Sequence, residues 1–226
     1  MNFKVLFILI ILIFTVCTLQ YNDTSYSGFN IYSIISPNLD TQKIVLDSII
    51  AINNEDINSF ISDADVYINN NKLTFMDNDS LDYYIFTDSV LSGQKYTLDI
   101  YHKTGSLSLE TEIPRHVDII YPFSGLDLPI DSFAYIVWNN VTDYYILDIY
   151  SLRDSYTVFS MVQEDTVFPL FSIRQLLSRN DTVNISVIAP DSNMLNNFFG
   201  DDNLGEHRGV FGSYTISTVD SVKIIK

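Results

Sequence analysis

The side chains most often used for catalysis or metal binding are few and scattered in this chain of 226 residues. Its three histidines, His102, His116 and His207, lack the His-x-x-x-His spacing that brings two imidazoles to one metal ion. No Gly-x-Ser-x-Gly motif marks a nucleophilic serine. The sequence therefore predicts neither a histidine-bound metal nor a catalytic triad, and we expect no enzyme activity.

Carboxylates are the one abundant class of reactive group. Asp77, Asp79 and Asp82 lie in one loop, and a second acidic group lies within residues 201–206. Calcium takes six to eight oxygen ligands, but neither loop has the glycine and glutamate positions of an EF-hand. Turn formation by aspartate explains both loops, so we predict no metal site. Paired carboxylates also keep a glycoside hydrolase open as an alternative.

The only cysteine, Cys17, ends an N-terminal apolar run. Lys4 precedes the run, which extends from Val5 to Val16 and is shorter than the stretch of about 20 residues that spans a bilayer. A short charged start and an apolar core are the layout of an export signal. A cysteine directly after that core is typical of a bacterial lipoprotein signal, in which Cys17 is acylated and becomes the mature N-terminus.

Two positions depart from the lipoprotein pattern. Val16 stands where a small residue usually precedes the cysteine, and Phe14 stands where leucine is usual. Ordinary secretion with cleavage after Cys17 and an uncleaved N-terminal anchor therefore remain alternatives. We predict lipidation at Cys17, and hence a membrane partner reached through a lipid anchor.

Composition limits the function further. The chain has 28 acidic against 12 basic residues, a formal net charge of −16. Nucleic-acid binding needs a basic footprint, and none is present, so nucleic acid is excluded as a partner. The apolar content of 47% is enough for a packed core. With one cysteine there is no disulfide within the chain, and no cofactor motif is present.

Short strands follow one another from Phe29 to the end of the chain. The clearest are residues 96–101 and 107–113, which alternate apolar and polar around a turn and so predict a hairpin with one buried face. Ile173, Leu176 and Leu177 have helical spacing and predict a short helix over 173–177.

The strand series divides at Pro114. We predict a signal segment at 1–17, a tether at 18–28, and two β-sandwiches at 29–114 and 115–226. Each sandwich has about seven short strands separated by turns, the spacing typical of that fold. The predicted fold class is therefore all-β.

A long loop is predicted between Asp191 and Gly209. It combines aromatic and charged side chains, as recognition surfaces do. We predict ligand or partner binding by Phe198, Phe199, Asp201, Asp202, Glu206 and Arg208. The alternative is that the phenylalanines close the end of a sandwich, because large apolar residues are more often buried.

Both halves resemble immunoglobulin-like and fibronectin type III domains. The segment Leu91 to Leu98 resembles the start of strand F, with Tyr96 as the corner tyrosine that bonds back to the upstream backbone. The segment Ile136 to Tyr145 resembles the fibronectin pattern of a core tryptophan followed by a tyrosine-led strand. Trp138 would be the core tryptophan. Val183 departs from the pattern, because a corner tyrosine is expected there.

The mature chain also resembles a family of uncharacterised outer-membrane lipoproteins of the Bacteroidetes type, often encoded beside TonB-dependent receptors. The matching features are the N-terminal signal, the strand at 64–68, residues 93–114 and the segment Gly209 to Tyr214. This resemblance implies a binding or accessory role in the cell envelope, with an outer-membrane transporter as a partner and no catalytic residues. A carboxylate-dependent hydrolase acting on carbohydrate and a purely structural spacer remain the alternatives.

Overall fold

The computed structural model of the chain describes residues 28–48, 60–78, 81–130, 134–178, 180–198 and 208–225. The predicted signal at 1–17, including Cys17, lies outside the described residues, as does the tether at 18–28 apart from Gly28.

The described residues are almost entirely β-structure, which confirms the all-β prediction. Strands alternate buried and exposed side chains, as in β1, because successive residues of a strand point to opposite faces of its sheet. The strands are β1 (Phe29–Ile35), β2 (Gln42–Ser48), β3 (Asp65–Ile68), β4 (Asn71–Lys72), β5 (Thr74–Met76), β6 (Tyr83–Phe86), β7 (Lys95–His102), β8 (Gly105–Glu112), β9 (Ile119–Tyr121), β10 (Asp127–Pro129), β11 (Tyr135–Trp138), β12 (Tyr145–Ser151), β13 (Tyr156–Gln163), β14 (Val167–Pro169), β15 (Thr182–Pro190) and β16 (Arg208–Ile225).

The strands form open sheets that pack over apolar cores. The largest sheet runs in the order β13-β12-β15-β16-β1-β2-β6-β5, and β10 also pairs with β16. A three-stranded sheet has the order β14-β11-β9, and a four-stranded sheet has the order β4-β3-β7-β8. The predicted hairpin of residues 96–101 and 107–113 is the β7–β8 pair.

The last strand joins the two halves of the sequence. The first residues of β16 pair with β1 in parallel, from Arg208 beside Asn30 to Ser213 beside Ile35. From Tyr214 onward the same strand pairs with β15 in antiparallel orientation. One strand of 18 residues therefore pairs with strands from both halves of the sequence.

Buried apolar side chains form two clusters. One contains residues between Phe29 and Ile113 together with Phe211 from β16. The other contains residues between Val117 and Ile224. Trp138 lies in the second cluster, 2% exposed, with its ring 5.6 Å from that of Tyr145 in an edge-to-face arrangement. The division into two sandwiches at Pro114 stays a prediction.

Two local predictions are wrong. The predicted helix at 173–177 is replaced by a 3-10 helix at Leu170–Ile173, where a spacing of three residues buries Leu170 and Ile173 together. The predicted loop after Asp191 begins instead with a helix, α1 (Ser192–Phe198). A carboxylate oxygen of Asp191 accepts the backbone N–H of Met194 at 2.8 Å, and this N-terminal cap starts the helix.

Candidate functional site

The predicted binding residues lie mostly outside the described part of the chain. Phe199, Asp201, Asp202 and Glu206 fall there, so the structure does not bring them together or separate them. Phe198 is the last residue of α1, and Arg208 is the first residue of β16; only their backbone positions are described. The binding assignment for this group stays a prediction.

A groove of about 580 Å³ lies beside the start of α1. Four separate segments line it: Gly93, residues 112–115, residues 140–143 and residues 190–192. The first two come from the first half of the sequence and its border, and the last two from the second half. Its volume is within the range of small-molecule sites. Sequence periodicity did not identify this groove, because its walls are far apart along the chain.

Asp191 fixes the floor of the groove. One carboxylate oxygen accepts the backbone N–H of Ser213 at 3.0 Å as well as that of Met194. The other accepts the hydroxyl of Thr111. Asp191 thus ties together β8, β16 and α1, elements that are distant in sequence.

Burial raises the pKa of Asp191 above its ordinary value of 3.8. Removing a carboxylate from water disfavours its charged form. The hydrogen bonds from Thr111, Met194 and Ser213 favour the charged form and partly oppose that shift. Because both oxygens already accept protein hydrogen bonds, this carboxylate is poorly placed to exchange a proton with a ligand.

A polar seam continues from Asp191 below the groove. The hydroxyl oxygen of Thr111 also lies 2.9 Å from that of Ser213, and the Ser213 hydroxyl donates to the carbonyl of Glu112 at 3.1 Å. Thr215 donates to the carbonyl of Arg115 at 2.9 Å. Buried hydroxyls that are fully paired in this way hold two strands in one register, so the seam keeps the segment 112–115 against β16.

The opposite wall is held by a tyrosine. The hydroxyl of Tyr145 accepts the backbone N–H of Val141 at 2.7 Å and that of Thr142 at 3.0 Å. It donates to the side-chain oxygen of Asn140 at 2.9 Å. A buried tyrosine that bonds back to the preceding loop fixes that loop, and here the loop is residues 140–143 of the groove. Sequence reasoning missed this role of Tyr145.

The charges at the rim are mixed. Among the described residues that line the groove, Arg115 is the one cation, and Glu112 and Asp143 are acidic and exposed. Arg115 makes no ion pair with another described residue. Its stem lies alongside Gly93, where an added Cβ would be 4.0 Å from the Arg115 Cγ. The guanidinium is therefore available to an anionic group.

A second, more apolar groove of about 490 Å³ lies on the outer face of β1 and β2. Tyr32 and Leu39 line it and are 60% and 42% exposed. Lys43 also lines it, and its Nζ lies 4.4 Å from the ring centre of Tyr83. This cation–π contact engages the one cation among the described residues of the groove, so those residues offer a ligand mainly apolar contact.

The described histidines have local partners. His102 contacts Asp63 through Nε2 at 2.9 Å and Thr104 through Nδ1 at 2.7 Å. Lys103 donates to the same aspartate at 3.0 Å and holds the pKa of Asp63 below its usual value. Asp63 is open to water and the group lines neither groove, so it fixes the β7–β8 turn. His207 lies outside the described residues.

The acidic loop at 77–82 is only partly described. Asp82 accepts the backbone N–H of Asn78 at 3.0 Å, a local turn bond, and Asp79 lies outside the described residues. Within the stretches that the structure covers, no group of three or more His, Cys, Asp or Glu side chains is arranged to hold a metal ion. Helices there are also too short or too polar to cross a bilayer.

No protein-family model matches the chain, and no curated protein sequence matches it.

Proposed function

We propose that this chain is a non-enzymatic binding protein of the bacterial cell envelope, held at the membrane by a lipid on Cys17. The groove over Asp191 carries the binding part of the proposal. Its walls come from both halves of the sequence, and its described residues include one unpaired cation, Arg115, together with the exposed acidic residues Glu112 and Asp143. The partner would be an envelope protein, such as an outer-membrane transporter, that presents a carboxylate to Arg115.

The envelope assignment has a direct test. Because one acylated cysteine supplies the attachment, and each buried CH₂ of a lipid contributes about 0.8 kcal/mol, Cys17→Ala should release the protein from membranes. Fractionation and labelling with a palmitate analogue would measure this. A variant that stays with membranes and labels as strongly as the wild type would exclude a lipid on Cys17.

The groove has a matched test. Arg115→Ala with Asp143→Ala removes two groove charges of opposite sign. Lys72→Ala with Asp65→Ala removes a comparable exposed pair that lines neither groove. Both variants would be used as bait in native envelope extract. We expect the wild-type partner to be lost with the first pair and kept with the second; equal recovery would exclude the groove.

The aromatic and acidic residues after α1 remain a further proposed contact surface. Replacing residues 199–206 by a Gly-Ser linker would test them and leave α1 in place. Asn193 must stay, because its side chain donates to the carbonyls of Glu110 and Phe211 at 2.7 and 3.1 Å. Loss of partner recovery would support the contribution of Phe199, Asp201, Asp202 and Glu206, and unchanged recovery would count against it.

The alternative is a carboxylate-dependent hydrolase acting on carbohydrate. One observation favours it: the described residues of the groove include three carboxylates, and the pKa of one of them, Asp191, is raised. The hydrogen bonds to both oxygens of Asp191 count against it. Turnover of a glycan panel by the purified protein, abolished by Glu112→Gln or Asp143→Asn, would replace the binding proposal with this one. A purely structural spacer would show neither turnover nor partner.

We infer in addition that each half follows the immunoglobulin or fibronectin type III arrangement. In the first half, the hydroxyl of Tyr96 accepts the backbone N–H of Leu91 at 2.9 Å, as a corner tyrosine does. In the second half, Trp138 is buried between strands. There Val183 stands where a corner tyrosine is expected. Tyr145 instead makes a comparable bond back to its preceding loop, by accepting the backbone N–H groups of Val141 and Thr142. A solved structure with different strand connections would overturn this inference.

A further inference from the structure

The strand β13 forms one end of the largest sheet and pairs, among the described strands, with β12 alone. Its eight residues, Tyr-Thr-Val-Phe-Ser-Met-Val-Gln, include no charge, no proline and no glycine. On its free side the backbone presents N–H and C=O groups with no partner in the described stretches. Proteins usually protect such an edge with charges, prolines, bulges or a covering segment.

Other strands at sheet ends are protected in the usual ways. β8 is as long as β13 but carries Glu110 and Glu112. β5, β9 and β14 have three residues each, and β4 has two. The bulge between β12 and β13, near Tyr150, leaves residues 159–163 in regular pairing. Within the described fold, β13 is therefore the long edge without a charged residue.

Two large apolar side chains of β13 itself are exposed. Tyr156 is 56% exposed and Met161 48%, and their pairing with Ser151 and Leu147 puts both on the same face of the sheet. Exposed apolar residues scattered singly are normal, but two on one face of an uncharged edge strand favour an interaction surface. An occupant that pairs with the backbone would cover these side chains as well.

We propose that β13 is a self-association surface, on which the β13 strand of a second copy pairs in antiparallel orientation about a twofold axis. Antiparallel pairing centred on Ser160 places Phe159 opposite Met161 of the other copy and keeps all the central pairs uncharged. Such a dimer continues the large sheet across the axis and removes the open edge of both copies.

Electrostatics favours this surface over others for a second copy. A chain with a net charge of −16 repels its own copies through most of its surface. On the neighbouring strand β12 the charged residue is Asp148, which lies opposite Ser160. Across the axis the two Asp148 residues would be three strand spacings apart, about 14 Å, which exceeds the screening length of about 8 Å at physiological salt.

The ends of the strand set the salt dependence. In the antiparallel pair, Arg153 and Asp154 of one copy approach Glu164 and Asp165 of the other. One cation then meets three carboxylates at each end, a net repulsion that salt screens. We therefore expect dimerisation to become stronger, not weaker, between about 50 mM and 500 mM NaCl, opposite to an interface held by ion pairs.

Cysteine cross-linking tests the register. Ser160→Cys in the full-length Cys17→Ala chain leaves a single thiol at the twofold axis. Opposite residues of paired strands have Cα atoms about 4.5–5.5 Å apart, a separation that a disulfide spans. Copper-phenanthroline and oxygen would take two electrons from two thiols, release two protons and form the bond. We expect covalent dimer from this variant and none from Ser106→Cys, the matched control on the edge strand β8.

Introducing a charge at Met161 tests the surface in solution. Met161→Lys and Met161→Glu should each raise the dimer dissociation constant at least tenfold, while an equimolar mixture should regain dimer through opposite charges. Analytical ultracentrifugation of the full-length Cys17→Ala chain would measure this, with Ser106→Lys as the control and thermal melting as the check on folding. A wild type that is monomeric at high protein concentration, or a folded Met161→Lys dimer as strong as wild type, would overturn the proposal.

Discussion

Trp138 is the largest fully buried side chain of the second apolar cluster, and its indole N–H has no hydrogen-bond acceptor within the described structure. Removal of the ring leaves a cavity, so Trp138→Ala should lower the free energy of unfolding by about 3–5 kcal/mol. Urea denaturation would measure the change. A loss below about 1 kcal/mol would show that Trp138 is not a core residue.

A second substitution separates the ring from its unpaired N–H. Trp138→Phe loses volume but also removes a buried donor, which costs roughly 1–3 kcal/mol when it has no partner. The two effects oppose each other, so Trp138→Phe should cost much less than Trp138→Ala. Equal losses from both would mean that the N–H has a partner, such as water, and that the whole indole is needed.

Asp191 should make part of the stability depend on pH. Its folded pKa lies above the unfolded value of 3.8 because of burial, so the folded state binds the proton more tightly than the unfolded chain does. That contribution is fully present below the unfolded pKa and is lost as the pH rises through the folded pKa.

The comparison with Asp191→Asn isolates this contribution. The side chain at residue 191 of the variant does not titrate. Asp63, whose lowered pKa makes stability change with pH in the opposite direction, is present in both proteins, so its contribution cancels in the difference. Urea denaturation from about pH 3 to pH 7 should show the stability advantage of the wild type over the variant decreasing as pH rises. An advantage that grows with pH would contradict a raised pKa.

At the scale of elements, the contact between β1 and β16 depends on a glycine. Gly209 has φ of +96°, and an added Cβ would lie 1.8 Å from the carbonyl oxygen of Ile31. That overlap cannot be relieved by a side chain, because the obstacle is backbone. Gly209→Ala should therefore separate the two strands at this point.

The expected loss is several kcal/mol, above the strain of about 1–2 kcal/mol that a positive φ alone costs an alanine. Gly125→Ala is the matched control, because Gly125 has φ of +75° but no atom of a described residue lies within 4 Å of its added Cβ. Denaturant unfolding of both variants would give the difference that is due to the clash. Equal losses would show that β1 and β16 are not in close contact at Gly209.

Elements with a strict local pattern were predictable from the sequence. The hairpin β7–β8 alternates apolar and polar residues along its strands, and a shift of the strand register by one residue would expose its apolar face. The helix α1 was missed because it starts from a carboxylate cap at Asp191 and is too short for a helical pattern. The helix predicted at 173–177 was misplaced because the spacing of Leu176 suggested that it is buried. In the structure Leu176 is 53% exposed and Leu170 is buried instead, so the 3-10 helix lies at Leu170–Ile173.

The candidate groove was not predictable for a different reason. Its wall residues belong to segments around Gly93, Pro114, Val141 and Asp191, and only strand pairing brings them together. The sequence did identify Tyr96 and Trp138 as structural residues, because the type of an aromatic residue and its spacing from nearby turns can be recognised without knowing the fold. The parallel pairing of β1 with β16 leaves no such local signal, since its partners are separated by nearly the whole chain.

At the scale of the whole molecule, β16 contributes to both apolar clusters. Phe211, near its start, is 2% exposed and packs in the first cluster, and Val222, near its end, is fully buried in the second. Residues 29–114 alone would lack both the strand that pairs with β1 and the ring of Phe211. We therefore expect the two sandwiches inferred from the sequence to unfold together.

Calorimetry tests this coupling. We expect one transition, with equal calorimetric and van't Hoff enthalpies, because opening either core disturbs the strand that both share. Phe211→Ala should cost about 3–5 kcal/mol, which for a chain of this size lowers Tm by roughly 6 °C or more. Val222→Ala, in the other cluster, should move the same single transition to lower temperature. If each substitution instead shifts its own separate transition, the halves unfold independently and β16 does not couple them.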